Sequence, residues 1–100
     1  MELETASRLN LPVVVLVANN GAASGAIYEF PEYDADFSRY VPDIRYDQIA
    51  RAFGGSGACV QNGNQLASSI ENAIDTAKQR SKPYLLNIAV SDQVSMPPRL

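Results

Sequence analysis

Residues 13–18, Val-Val-Val-Leu-Val-Ala, form an unbroken apolar run that stops at two asparagines, Asn19 and Asn20, and a glycine, Gly21. Branching at Cβ restricts χ1 in a helix and suits a pleated strand, so the run is read as β. It does not alternate with polar residues. The expectation is therefore a central strand covered on both faces, as in parallel α/β sheets. Such a strand commits its neighbours in sequence to helices that cover it.

The flanking segments supply them. Residues 2–9, Glu-Leu-Glu-Thr-Ala-Ser-Arg-Leu, carry acids at the start and Arg8 near the end, the charge order a helix dipole favours, and Pro12 is expected to stop them. Tyr46 to Phe53 places Tyr46, Ile49, Ala50 and Phe53 on one helical face, and Gly54-Gly55 is expected to supply a left-handed cap. Residues 58–61 read as a short strand. Residues 64–80 give the clearest helix, with Leu66, Ile70, Ala73, Ile74 and Ala77 as its apolar stripe and Pro83 at its exit. Tyr84 to Val90 reads as a last buried strand. Residues 19–45 show no long period and are read as a loop with one short helical turn near Asp34–Ser38. The order α-β-loop-α-β-α-β predicts a three-layer α/β arrangement around a parallel sheet.

Composition narrows the function. The chain has 100 residues, 46% of them hydrophobic and 19% charged, which fits one small globular domain. Eight basic against eleven acidic residues leave a net charge of −3, and only Lys78, Arg80 and Lys82 lie close together, so nucleic acid is not an expected partner. Those three cations are read as companions of a helix C-terminus. With no histidine, Ser-His-Asp and Cys-His catalysis is excluded for the residues present. The one cysteine, Cys59, lies in the apolar piece Ala-Cys-Val and is read as a buried core thiol in a reducing compartment. No apolar stretch is long enough for a membrane span, so no membrane association is expected. The localisation expected is cytoplasmic. The terminal Pro98-Arg99-Leu100 loosely resembles a peroxisomal tail, a weaker alternative.

Open α/β sheets bind ligands beyond the carboxyl ends of their strands, where Asn19 and Asn20 are expected to stand. Asparagine oxygens are hard neutral donors suited to Mg²⁺, and small residues let main-chain carbonyls approach an ion or phosphate. A plain Asn-Gly turn is an equally good reading of the same residues. The Gly21-Ala-Ala-Ser-Gly25 stretch is a weak phosphate-cradle candidate, being neither a dinucleotide fingerprint nor a Walker loop. The missing fingerprint also argues against a nicotinamide-binding domain. The acidic, aromatic stretch Ile27–Tyr40 is read as a solvated lid rather than a cation site.

Taken together, "MELETASRLNLPVVVLVANNG" resembles the second half of the thiamine diphosphate binding motif, in which a Gly-Asp-Gly is followed by a hydrophobic strand ending in Asn-Asn. "YDQIARAFGGSGACVQNGNQLASSIENAIDTAKQRSKPYLLNIAVS" is similar to the rest of the same domain. The resemblance covers residues 1–91 and points to the acetolactate synthase, oxalyl-CoA decarboxylase and 2-hydroxyacyl-CoA lyase group. It implies a Rossmann-like parallel sheet truncated at its N-terminus, with residues 92–100 as a flexible tail. It implies thiamine diphosphate and Mg²⁺ as cofactors. By family analogy the metal ligands are Asn20 and the Ala22 carbonyl, with Gly21, Ser24 and Gly25 near the diphosphate. The implied substrates are small 2-oxo acids or acyl-CoA thioesters, and the implied full-length protein is a homo-oligomer. No Gly-Asp-Gly occurs in the chain, so the aspartate ligand is absent, and no catalytic residue is assigned. The expectation is a C-terminal piece of a longer lyase, decarboxylase or synthase, inactive by itself. The alternative is a non-catalytic interaction or regulatory module derived from that domain, expected because a truncated parallel sheet leaves an edge open to pairing.

Overall fold

The computed structural model describes residues 2–21 and 39–91. The expected turn at Asp34–Ser38, most of the acidic stretch and the tail after Ser91 lie outside the described residues. The chain divides into two units, Met1–Ala18 with Arg45–Ala89 and Asn19–Ile44 with Val90–Leu100.

The first unit holds nearly all the regular structure among the described residues. Its elements are α1 (Glu2–Arg8), β1 (Val14–Asn19, whose last residue falls in the second unit), α2 (Tyr46–Ala52), β2 (Ser56–Val60), a 3₁₀ turn (Gly63–Gln65), α3 (Leu66–Arg80) and β3 (Tyr84–Ala89). The sheet order is β1-β3-β2. β2 and β3 are parallel, in a register that sets Gly57 beside Leu85 and Cys59 beside Asn87. β1 also runs parallel to β3: the Tyr84 amide donates to the Val13 carbonyl at 2.8 Å and the Val90 amide to the Asn19 carbonyl at 3.0 Å, both numbers rising together. The α/β class and the parallel sheet read from the sequence are as observed.

Strand side chains alternate between faces, and that alternation sorts the layers. Ala58, Val60, Tyr84, Leu86 and Ile88 share a cluster with Ala73 and Ala77 of α3. On the opposite face, Gly57 and Cys59 meet Asp47 of α2. α1 is tied to the end of α2, where the Ser7 hydroxyl donates to the Phe53 carbonyl. The result is the expected three-layer arrangement, with β3 in the middle and Leu86 fully buried.

Four local expectations are corrected. β1 is an edge strand, not a central one: among the described residues its hydrogen-bonded neighbour is β3 alone, and Leu16 is 50% exposed. An apolar run reports the burial a strand seeks, not which neighbours it finds. β2 begins at Ser56, two residues before the predicted start, because a glycine that would ordinarily weaken a strand serves here as a contact point. A Cβ on Gly57 would lie 2.4 Å from the Asp47 carbonyl oxygen. On α2 the buried residues are Asp47 and Ala50, while Ile49 is exposed. α1 is closed by Asn10 in the left-handed region (φ 58°), with the Leu11 amide donating to the Ala6 carbonyl at 2.9 Å, before Pro12 is reached. The cap at Gly54 (φ +86°) is as predicted.

Candidate functional site

The turn after β1 lies in the second unit. The Asn19 side-chain oxygen accepts the Gly21 amide at 3.0 Å, closing an Asx turn around Asn20. The Asn19 carbonyl accepts from Val90, and the Gly21 carbonyl accepts the Tyr40 amide at 2.9 Å. Gly21 has φ +73°, a conformation in which a side chain is strained, and among the described residues nothing lies within 4 Å of where a Cβ would project. Asn20, at the centre of the turn, is half-buried.

Of the predicted site residues, Asn20 and Gly21 stand side by side in this turn. Ala22, Ser24 and Gly25 lie outside the described residues. The turn reading is as observed: Asn19 makes the turn, and Asn20 is the residue that the turn carries. The donor chemistry fits part of a Mg²⁺ site. An amide oxygen and main-chain carbonyls are hard neutral donors. Among the described residues no group of three or more His, Cys, Asp or Glu could hold a metal ion. The residues present therefore suit the neutral side of a shared coordination shell rather than a complete one.

A second polar group lies in the first unit. The Asp47 side chain, 1% exposed, is gripped by Arg45, whose Nε donates at 3.0 Å and Nη2 at 2.7 Å. The Cys59 thiol donates to the same carboxylate at 3.3 Å, and the Asn87 amide nitrogen lies 3.8 Å from the Cys59 sulfur. The Arg45 hydrogen bond holds the Asp47 carboxyl below its ordinary range, against the opposing effect of burial, with the thiol hydrogen bond helping. Burial, and then the neighbouring carboxylate, push the Cys59 thiol up. A raised thiol stays protonated and is a poor nucleophile at neutral pH. Cys59 is thus half-buried in a polar cluster, not the apolar core thiol expected from Ala-Cys-Val. The sequence reading missed this cluster, because an acid in a helix's first turn ordinarily faces water. Gly57 in a strand, two residues before Cys59 on the same face, was the available signal.

The basic residues near the ends of α2 and α3 bind main-chain carbonyls. Arg51 donates to Gly57 at 2.6 Å, Arg80 to Gly55 at 3.4 Å, and Lys82 to Ser7 at 2.6 Å. Arg51 thus reaches β2, Arg80 the glycine corner before it and Lys82 the end of α1, and for Arg80 and Lys82 this goes beyond the dipole role expected of them. A third feature is an apolar groove of about 550 Å³ between α1 and β1, lined by Leu3, Ala6, Leu11, Val13 and Val15. No helix among the described residues is long and apolar enough to cross a membrane.

A parallel α/β sheet with an Asn-Asn-Gly turn at the carboxyl end of a strand defines a class: α/β proteins that place ligand-binding groups at strand ends. Residues 1–88 match the family described as "Thiamine pyrophosphate enzyme, C-terminal TPP binding domain", and the chain belongs to that family. It is 35% identical to 2-hydroxyacyl-CoA lyase 1 of Mus musculus, over 93% of this chain and 17% of that protein. It is 33% identical to oxalyl-CoA decarboxylase of Escherichia coli K12, over 90% of this chain and 16% of the relative. A probable acetolactate synthase of Mycobacterium bovis is 29% identical over 99% of this chain and 18% of its own length. The chain therefore spans less than a fifth of the length of these relatives.

Proposed function

We propose that this chain supplies the amide-and-carbonyl half of a Mg²⁺–diphosphate clamp in a thiamine diphosphate-dependent enzyme. The parent enzyme would act as a lyase, decarboxylase or acetolactate synthase on 2-oxo acids or on 2-hydroxyacyl- or oxalyl-CoA. The observation that carries this reading is the Asx turn at the end of β1, which places Asn20 at a strand's carboxyl end in a chain of this family. Asn20 through its side-chain oxygen and Ala22 through its carbonyl would hold the ion, with Gly21, Ser24 and Gly25 beside the diphosphate. When bound, thiamine diphosphate supplies the nucleophilic carbon for breaking or forming a bond next to a carbonyl. The chain's own part is to bind and orient that group at the strand end. A carboxylate from outside these residues would complete the metal shell.

The direct test is calorimetry of Mg²⁺–thiamine diphosphate with the 100-residue chain, followed by NMR shifts across residues 19–25. The expected result is weak binding, roughly millimolar, with shifts centred on Asn20. Micromolar affinity would sink the half-site idea, in which the carboxylate comes from outside these residues. A chain whose residues 19–25 do not respond at all would sink the cofactor assignment.

A second reading, an association module, is favoured by one observation. β1 has an open edge among the described residues, with Leu11 and Val13 exposed at the groove and Leu16 exposed within the strand. Gel filtration discriminates: a monodisperse oligomer supports the module, and aggregation supports a bare piece of a larger enzyme.

A further inference from the structure

The Asx turn assigns different work to its two asparagines. We propose that Asn19 is a positioning residue, whose side-chain oxygen holds the Gly21 amide and so sets the direction in which Asn20 meets the ion. The inference rests on the half-site reading above and adds to it the division of labour within the pair.

Three hydrogen bonds carry it. The Asn19 carbonyl takes the Val90 amide, which anchors the turn's first residue to the chain after β3. The Asn19 side-chain oxygen takes the Gly21 amide at 3.0 Å, which pins the third residue to the first. The Gly21 carbonyl takes the Tyr40 amide, which anchors the third residue from its other side. Asn20 therefore sits between two fixed peptides, and its backbone has little left to choose. Gly21 at φ +73° permits this, because a residue with a Cβ would resist that conformation. The geometry also argues against Asn19 as a second ligand, since its side-chain oxygen is directed at Gly21.

Removing the brace frees residue 20 to sample other backbone wells before it binds. Re-ordering one residue costs enough to weaken an ion site about tenfold. Alanine at position 19 has no acceptor, whereas serine can accept the same amide through its hydroxyl in the equivalent turn. Aspartate is avoided because its charge would itself attract a cation.

The experiment uses the ¹⁵N-labelled full chain with Mn²⁺ and inorganic pyrophosphate as the probe. It reads paramagnetic broadening of the Asn20 side-chain amide and, without metal, hydrogen exchange at Gly21. Asn19→Ala is expected to raise the Mn²⁺ midpoint about tenfold and to speed Gly21 exchange by a similar factor. Asn19→Ser is expected to bring both back to within about threefold of the unaltered chain. Unchanged amide shifts in β3 verify that each variant is folded. If Asn19→Ala speeds Gly21 exchange yet leaves the midpoint within about twofold, the turn does not position Asn20 and the inference is overturned. Unchanged Gly21 exchange, or no rescue by serine, overturns it equally. Absence of broadening at Asn20 in the unaltered chain would overturn the half-site reading and the inference together, whereas the variant outcomes overturn the inference alone.

Discussion

Asp47 sits at 1% exposure with a two-point grip from Arg45 and a thiol hydrogen bond from Cys59. A buried carboxylate is tolerated only with such partners. Because its folded pKa is depressed, it stabilises the fold fully above its unfolded value of about 4. That contribution fades as pH falls through the lowered folded value. Asp47→Asn is expected to cost about 2 kcal/mol at neutral pH, and the deficit should shrink as the pH falls below about 4. Urea unfolding at several pH values checks both; a deficit independent of pH would show that the charge is not what matters. Gly57 is the neighbouring constraint. A Cβ there would meet the Asp47 backbone at 2.4 Å, so Gly57→Ala is expected to destabilise by about 3 kcal/mol, measured by the same unfolding.

Helix α3 shows how an element closes against its own preferences. Its stripe buries Ala73 and Ala77 fully on β2 and β3, leaves Leu66 and Ile70 half-buried, and exposes Ile74 at the margin. The helix ends at Ser81, a serine in the left-handed region at φ 52°, with its amide donating to the Ala77 carbonyl. Glycine is the usual residue there because it carries no Cβ penalty. Ser81→Gly is therefore expected to stabilise the chain by about 0.5–1 kcal/mol, read as a higher urea midpoint. A lower midpoint would mean that the unfolded chain's added freedom outweighs the strain. Arg80 and Lys82 beside it reach carbonyls of Gly55 and Ser7, so one helix end holds together the starts of two strands and the end of α1.

Among the described residues β1 is the open flank of the sheet. Leu11 and Val13, just before it, and Leu16, within it, are exposed, and an apolar groove runs between it and α1. Edges of this kind pair with other chains unless blunted, and a lysine is a common blunting device. Leu16→Lys is expected to reduce self-association at high protein concentration while changing stability by less than about 0.5 kcal/mol. Light scattering over a concentration series tests this. An unaltered chain that stays monomeric throughout would show that the edge is not sticky by itself.

The Val13–Ala18 run, the stripe of residues 66–77 and the buried Tyr84 run were enough to place β1, β3 and the long helix, because backbone periodicity and side-chain branching act locally. The Asn-Asn-Gly stop was also legible, as a strand end suited to a turn or a ligand. Local information does not contain the partners of a strand, so β1 read as central where the sheet makes it an edge. Nor did it contain the Asp47 cluster, since Arg45, Cys59 and Asn87 converge only after two crossovers bring α2, β2 and β3 into register. The split of roles between Asn19 and Asn20 belongs to the same kind. Hydrogen bonds from Val90 and Tyr40, distant in sequence, hold the turn in which the Asn19 side chain accepts the Gly21 amide, and the proposed division of labour rests on them.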